Sequence, residues 1–238
     1  MPRKSTPFFR FKQFTVWHDQ SVLRVCTEAC ILGAYTELAG ASHALDIGTG
    51  TGLLGLMLAQ KKSDLKIDAV EIEQQNYEQA LENVRQSPFS ANISVFHTPI
   101  QAWENPAKYD LIISNPPFFA KHLLSPNEKR NRALHAAALS LEDLAISVVQ
   151  LMKEKGRFVV LLPPNETQQM IDVFSTLTLY PTRQLSIFSR PDKPLFRQIT
   201  TFERRESDIL KETLYIHDLD GPYSSDFRVL LKDYYLIF

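Results

Sequence analysis

The stretch Leu45-Asp46-Ile47-Gly48-Thr49-Gly50-Thr51-Gly52 constrains the fold more than any other part of this chain. It closes the short apolar run 43–47 and feeds directly into Leu53-Leu54-Gly55-Leu56-Met57-Leu58-Ala59, so a strand passes through a glycine turn into a helix. Alternate glycines allow positive φ and let a ligand approach the backbone closely. Lys61 and Lys62 close the helix, where cations suit the C-terminal dipole. The same alternation then continues. Residues 65–73 read as a strand, 74–87 as an amphipathic helix stopped before Pro88, and 93–98 and 109–114 as further strands. Residues 140–156 form a helix with a Ser140–Asp143 capping pattern and Gly156 at its end, followed by a strand at 157–164. Strands alternating with helices of this length predict an α/β, Rossmann-like fold with a mostly parallel, seven-stranded sheet and helices on both faces. The tail carries strand-like runs at 183–189, 197–205 and 212–218 without long helices between them, which predicts an antiparallel C-terminal edge.

With 238 residues and no Gly/Ser linker, the chain is expected to be one globular unit. Residues 1–40 are expected to form a basic, aromatic arm and a helix over 21–39, with Ser21 as its N-cap, capping the ligand site at the glycine turn, and residues 41–238 to form the main domain. A net charge of −1 excludes a uniformly positive nucleic-acid coat but leaves room for local basic patches, which occur at 3–12, 121–132 and 183–205. No apolar run reaches the ~18 residues of a membrane span, and the first residues carry no apolar signal core, so a cytoplasmic protein is expected. Cys26 and Cys30 stand four apart without other ligating residues and read as buried thiols in a reducing compartment; no metal site is expected.

The glycine turn narrows the ligand. Its glycines alternate, whereas a dinucleotide fingerprint needs G-x-G-x-x-G, and no Walker lysine follows, so phosphate binding is disfavoured. Asp46 ahead of the turn suits a ligand with a cationic amino-acid end. Glu71, at the end of the second strand, can accept both hydroxyls of a ribose. S-adenosylmethionine combines these features without phosphates, and Asp46, Gly48, Gly50, Gly52 and Glu71 are its candidate contacts. The plain alternative is a tight strand–helix turn beside a solvated glutamate.

After Leu111-Ile112-Ile113-Ser114 the chain reads Asn115-Pro116-Pro117-Phe118-Phe119. Two prolines remove two backbone donors and fix two φ angles, so the chain must leave the sheet there. This tetrapeptide in this position resembles the N/D/S-P-P-Y/F motif of class I methyltransferases that act on a planar nitrogen. From end to end the chain resembles the bacterial tRNA(Val) N6-adenine methyltransferase family, through "FRFKQFTVWHD", "LDIGTGTGLLGLMLAQ", "DAVEIE", "DLIISNPPFF" and "YSSDFRVLLKDYYL". The resemblance implies methylation of the adenine just 3′ of the anticodon. The N6 lone pair is delocalised into the ring; the Asn115 side-chain oxygen and the Pro116 carbonyl, by accepting its two hydrogens, would draw the nitrogen toward tetrahedral geometry. Pro117 stiffens those acceptors before reaction. Phe118 offers a stacking face worth about 1–3 kcal/mol to an extruded base. Asn115, Pro116 and Phe118 are thus the catalytic candidates, with Asn115 also against the cofactor; Pro117, Phe118 and Phe119, then Arg130, Arg132 and His135 in the basic stretch beyond, are the substrate candidates. Lys12 and Gln13 of "FKQF" match the family's cofactor lid, whereas His18 reads as a packing residue.

One departure stands out. Where the family commonly has an acidic residue contacting the cofactor adenine, this chain has Pro99, leaving the backbone of Ile100 or Gln101 for that contact. Ribosomal RNA guanine-N2 and protein glutamine N5 methyltransferases use similar motifs, and a non-catalytic binding protein is the alternative from another class. The glutamine enzymes carry a separate helical N-terminal domain, which this arm cannot supply. A monomer acting on tRNA is expected.

Overall fold

The structure, a computed structural model, describes residues 6–19, 21, 24–117 and 139–238. A small hairpin comes first, β1 (Phe8–Arg10) antiparallel to β2 (Thr15–Trp17). There follow α1 (Thr27–Tyr35), β3 (His43–Ile47), α2 (Leu53–Lys61), β4 (Lys66–Glu71), α3 (Gln74–Arg85), β5 (Ile93–His97), a 3₁₀ turn (Ile100–Ala102) and β6 (Tyr109–Ser114). Then come α4 (Leu141–Leu151), β7 (Met152–Leu162), α5 (Pro164–Thr176), β8 (Tyr180–Phe188), β9 (Leu195–Glu203), β10 (Leu210–Tyr215) and α6 (Ser225–Leu231).

The expected α/β architecture is present. Among the described residues the main sheet has eight strands in the order β5-β4-β3-β6-β7-β9-β8-β10, one more than expected. Only β9 runs against the rest, and it lies inside the sheet between β7 and β8. The antiparallel strand is therefore two in from the edge, because β10 crosses to the far side of β8 and pairs with it in parallel. One apolar cluster packs α1, α2 and α6 on one face, joined by Phe11 and Phe14 of the N-terminal arm; a second packs α4 and α5 on the other.

Local chemistry explains several boundaries and corrects others. Ser140 caps α4 as expected, its hydroxyl accepting from Asp143 N at 3.0 Å. Gly156 does not end that helix. α4 stops at Leu151, and Gly156 sits in a bulge of β7, where the register to β6 jumps between Tyr109 and Leu111. A Cβ there would lie 2.8 Å from the Tyr109 carbonyl oxygen. α1 begins at Thr27, well after Ser21, whose hydroxyl instead donates to Asn76 Oδ1 at 2.7 Å. Lys61, at the end of α2, serves a neighbouring helix: its ammonium donates to the Ala34 and Thr36 carbonyls at the end of α1, at 2.6 and 2.8 Å.

Candidate active site

The strand order reverses between β3 and β6, the place where open α/β sheets bind ligands. Ile47 pairs with Ser114, and the Ser114 hydroxyl donates to the Ile47 carbonyl at 2.9 Å. The residues that follow, Gly48 on one strand and Asn115 on the other, therefore leave the sheet side by side. A cavity of about 600 Å³ opens there. Its floor is Ile47, Gly48, Thr49, Gly50 and Thr51; one flank is Glu71 and the segment 98–101, the other Asn115, Pro116 and Pro117. Arg24, Cys26 and Glu28, at the entry to α1, close over it.

The turn is held from below. Gly48 and Thr49 amides donate to the Val70 carbonyl at 2.9 and 3.1 Å, binding the turn to β4. Gly48, Gly50 and Gly52 have φ of 69°, 59° and 82°, values a side chain would oppose. Gly48 and Gly50 line the cavity; Gly52 does not, since it begins α2 facing α3, where a Cβ on it would lie 3.6 Å from Ala80. Asn83 of α3 adds a further tie, its side-chain amide donating to Thr51 O at 2.9 Å and to Trp17 O at 2.8 Å.

Asp46 is also displaced from its expected place. It is fully buried beneath the turn and does not line the cavity; its Oδ2 accepts from the Thr49 hydroxyl at 2.6 Å and its Oδ1 has no partner. Burial pushes this carboxyl up to about 7, with the nearby Glu71 charge acting in the same direction and the Thr49 bond against it. Glu71 does line the cavity, but it is already engaged: Oε2 accepts from Gly50 N and Oε1 from Ile72 N and Glu73 N, each at 2.9 Å. A carboxylate has about four lone-pair sites, so capacity for a further donor remains.

Pro99 caps the 3₁₀ turn with φ −68° and ψ 145°. The first amides of that turn, Ile100 and Gln101, have no carbonyl partner within it, and both residues line the cavity. Lys12 and Gln13 do not line it. The Lys12 ammonium donates to the Lys232 and Phe238 main-chain oxygens, the latter at 2.8 Å, because the arm packs on the C-terminal segment rather than over the cavity. His18 is likewise structural, its Nε2 3.0 Å from the Thr6 carbonyl oxygen. Phe118, Phe119, Arg130, Arg132 and His135 lie outside the described residues.

Sequence reading missed the roof residues Arg24 and Glu28, the side chains of Asn76 and Gln75 on α3, and the particular role of Arg197, which lines the cavity from β9. The helix expected over 21–39 hid Arg24 and Glu28, which lie on either side of its actual start at Thr27. Cys26 faces the cavity with its thiol pushed up to about 11 by burial and by the Glu28 charge, so it is a thiol rather than a nucleophile at neutral pH.

These features fit a nucleoside ligand with an amino-acid end. The backbone approaches closely at Gly48 and Gly50, amides are free of turn partners at 100–101, a carboxylate with spare capacity stands at 71, and no lysine among the described residues lines the cavity.

The family profile described as methyltransferase small domain matches residues 31–144. A relative from Dyadobacter fermentans, named tRNA1(Val) (adenine(37)-N6)-methyltransferase, is 45% identical over 242 residues and covers 100% of both chains. One of the same name from Bacteroides thetaiotaomicron is 39% identical over 98% of each chain. Among solved structures, a predicted O-methyltransferase from Agrobacterium tumefaciens superposes with a TM-score of 0.67 over 86% of this chain and 95% of its own, at 17% identity, which speaks to fold alone.

Proposed function

Because this chain belongs to the tRNA1(Val) (adenine(37)-N6)-methyltransferase family, we propose that its cavity binds S-adenosylmethionine and that Asn115 and Pro116 present the N6 amino group of adenine 37 of tRNA1(Val) for methylation. The observation that carries the reading is the Ile47–Ser114 register, from which the glycine turn and Asn115-Pro116-Pro117 both enter one cavity. The cofactor, when bound, supplies an electrophilic methyl group on a sulfonium that departs as a neutral thioether.

The chain's own residues do the rest. Gly48 and Gly50 give the cofactor a surface without side chains, and Glu71 accepts from its ribose. The Ile100 and Gln101 amides meet its adenine in place of the acidic side chain that Pro99 supplants. The Asn115 side-chain oxygen and the Pro116 carbonyl accept the two N6 hydrogens, which turns the nitrogen lone pair toward the methyl carbon. These acceptors sit on a proline-fixed turn and need little reorganisation, so they favour the transition state over the ground state. A carbon–nitrogen bond forms as the carbon–sulfur bond breaks, and the methylated nitrogen then releases a proton to water. No strong base is required, because a cationic arylamine is acidic.

No helix among the described residues is long and apolar enough to cross a membrane. The reading takes the enzyme to be a cytoplasmic monomer that needs no metal, with Phe118 stacking on the extruded base and Phe119, Arg130, Arg132 and His135 around it.

The test is methyl transfer to unmodified tRNA, with nucleosides identified by mass spectrometry. Label is expected in N6-methyladenosine; label confined to ribosomal guanine or to protein glutamine would overturn the reading. Asn115→Ala should lower kcat by about a hundredfold or more while cofactor affinity, measured by calorimetry, stays near wild type. Undiminished kcat would remove Asn115 from the mechanism.

A further inference from the structure

The two flanks of the cavity differ in charge. Glu71 and Glu73 stand on the β4 side; Arg197 approaches from the β9 side and exposed Arg24 reaches the rim. β9 runs against its neighbours, so its first residues lie at the sheet edge where β6 and β7 end: Gln198 pairs with Leu162, the last residue of β7. β8 also ends at that edge. The β8–β9 turn, residues 189–194, therefore projects from the same edge as Asn115-Pro116-Pro117, on the flank away from Glu71.

The six cations in the basic stretch 183–205 are not equivalent. Arg183 is committed to Glu212 at 2.5 Å and to Glu37, and Arg204 to the Val149 carbonyl at 2.9 Å. Both hold the fold together. Arg190 and Lys193 stand on the turn, 39% and 44% exposed, and share one counter-ion, Asp192, at 3.4 and 3.3 Å. Phe196 follows, 38% exposed, with the Arg197 guanidinium 4.2 Å from its ring centroid. Two half-exposed cations sharing one acid, next to an exposed aromatic ring, offer charge and a stacking face to a polyanion carrying planar bases. A base drawn to Asn115 must arrive beside the cofactor rather than through it, and β9 and β8 lie on the side of β6 away from Glu71.

We propose that the β8–β9 turn and Phe196 form an RNA-docking rim, in which Arg190 and Lys193 take backbone phosphates next to the extruded adenine and Phe196 stacks on an adjoining base. The inference rests on the tRNA reading above. Asp192 holds the two cations in place in the free protein and yields them to phosphate on binding.

The experiment measures binding of an unmodified tRNA transcript to the full chain between about 50 and 200 mM salt, with wild-type methyl transfer assayed in parallel. The double variant Arg190→Ala/Lys193→Ala should bind more weakly, with the slope of log K against log salt reduced by about 1 to 2. Asp192→Asn should shift affinity the other way, because it unmasks both cations. Phe196→Ala should weaken binding with the salt slope unchanged. Cofactor affinity should equal wild type in the charge variants, since neither turn cation lines the cavity.

If wild type methylates tRNA but the charge variants leave affinity and slope unmoved, the rim is refuted and the function stands. Equal shifts in both charge variants, or a parallel loss of cofactor affinity, would assign the turn to folding and overturn docking. Failure of the wild type to label tRNA would instead overturn the function itself.

Discussion

Asp46 is the residue whose environment departs furthest from what its neighbours in sequence suggest. An acid before a glycine turn reads as a ligand contact, yet its carboxyl is fully buried beneath the turn with one oxygen bonded to Thr49 and the other unpartnered. The native state holds a proton on it up to about pH 7, whereas an unfolded aspartate loses its proton near pH 4. Below about pH 4 both states are protonated and the group is neutral to folding. As pH rises from 4 toward 7 the unfolded state binds fewer protons than the native one, so stability falls; above 7 the full penalty is present. Asp46→Asn keeps a Thr49 acceptor without the charge and should remove this dependence. Urea midpoints at pH 5 and pH 8 should show the variant gaining on wild type at the higher pH; equal differences at both would contradict the assignment. Glu71 differs, because its place at the cavity follows from its position at the end of β4, whereas its three backbone bonds were not legible. Those bonds join residues whose turns meet only after β3 and β4 pair.

At the scale of elements, periodicity carried most of the information. The strands β3 to β6 and the helices α2 and α3 are short segments with clear apolar patterns and turn residues at their ends, and they form where the pattern puts them. The errors lie at boundaries set by partners. Gly156 looked like a helix C-cap, but the carbonyl of Tyr109 on β6 is what requires a glycine there. Gly156→Ala should cost about 1–3 kcal/mol, read as a lower denaturation midpoint with unchanged cofactor affinity, since the bulge lies at the end of β7 remote from the cavity. A neutral alanine would mean that the bulge relaxes freely. The β10 strand was legible as a strand, but its parallel place beyond β8 was not, because an edge partner is chosen by the crossover and not by the segment itself.

At the scale of the whole molecule, the two ends of the described chain hold each other. Phe11 is 2% exposed and stacks on Phe14 with ring centroids 4.5 Å apart; it also bridges by backbone to Tyr235, whose ring lies 6.0 Å away. Lys12 adds its contacts to the same C-terminal segment. The arm is thus part of the core, and through Asn83 it also braces the glycine turn. Phe11→Ala should destabilise the fold by about 3–5 kcal/mol in denaturant titration. A purely lid-like arm would instead leave stability intact and change cofactor affinity alone.

Local residue order is enough for the strand–glycine turn–helix unit, the alternation behind the α/β fold, and the Asn-Pro-Pro exit from β6. Each depends on backbone constraints and apolar spacing within a few residues. Long-range packing sets the rest: Asp46 supports the turn instead of lining the cavity, Lys12 binds the C-terminal segment, and Arg183 and Arg204 hold structure while Arg197 reaches the cavity. Charge and hydrogen-bonding capacity belong to a residue type. Which partner satisfies them depends on groups far away in sequence, brought within about 3 Å only when the sheet is assembled.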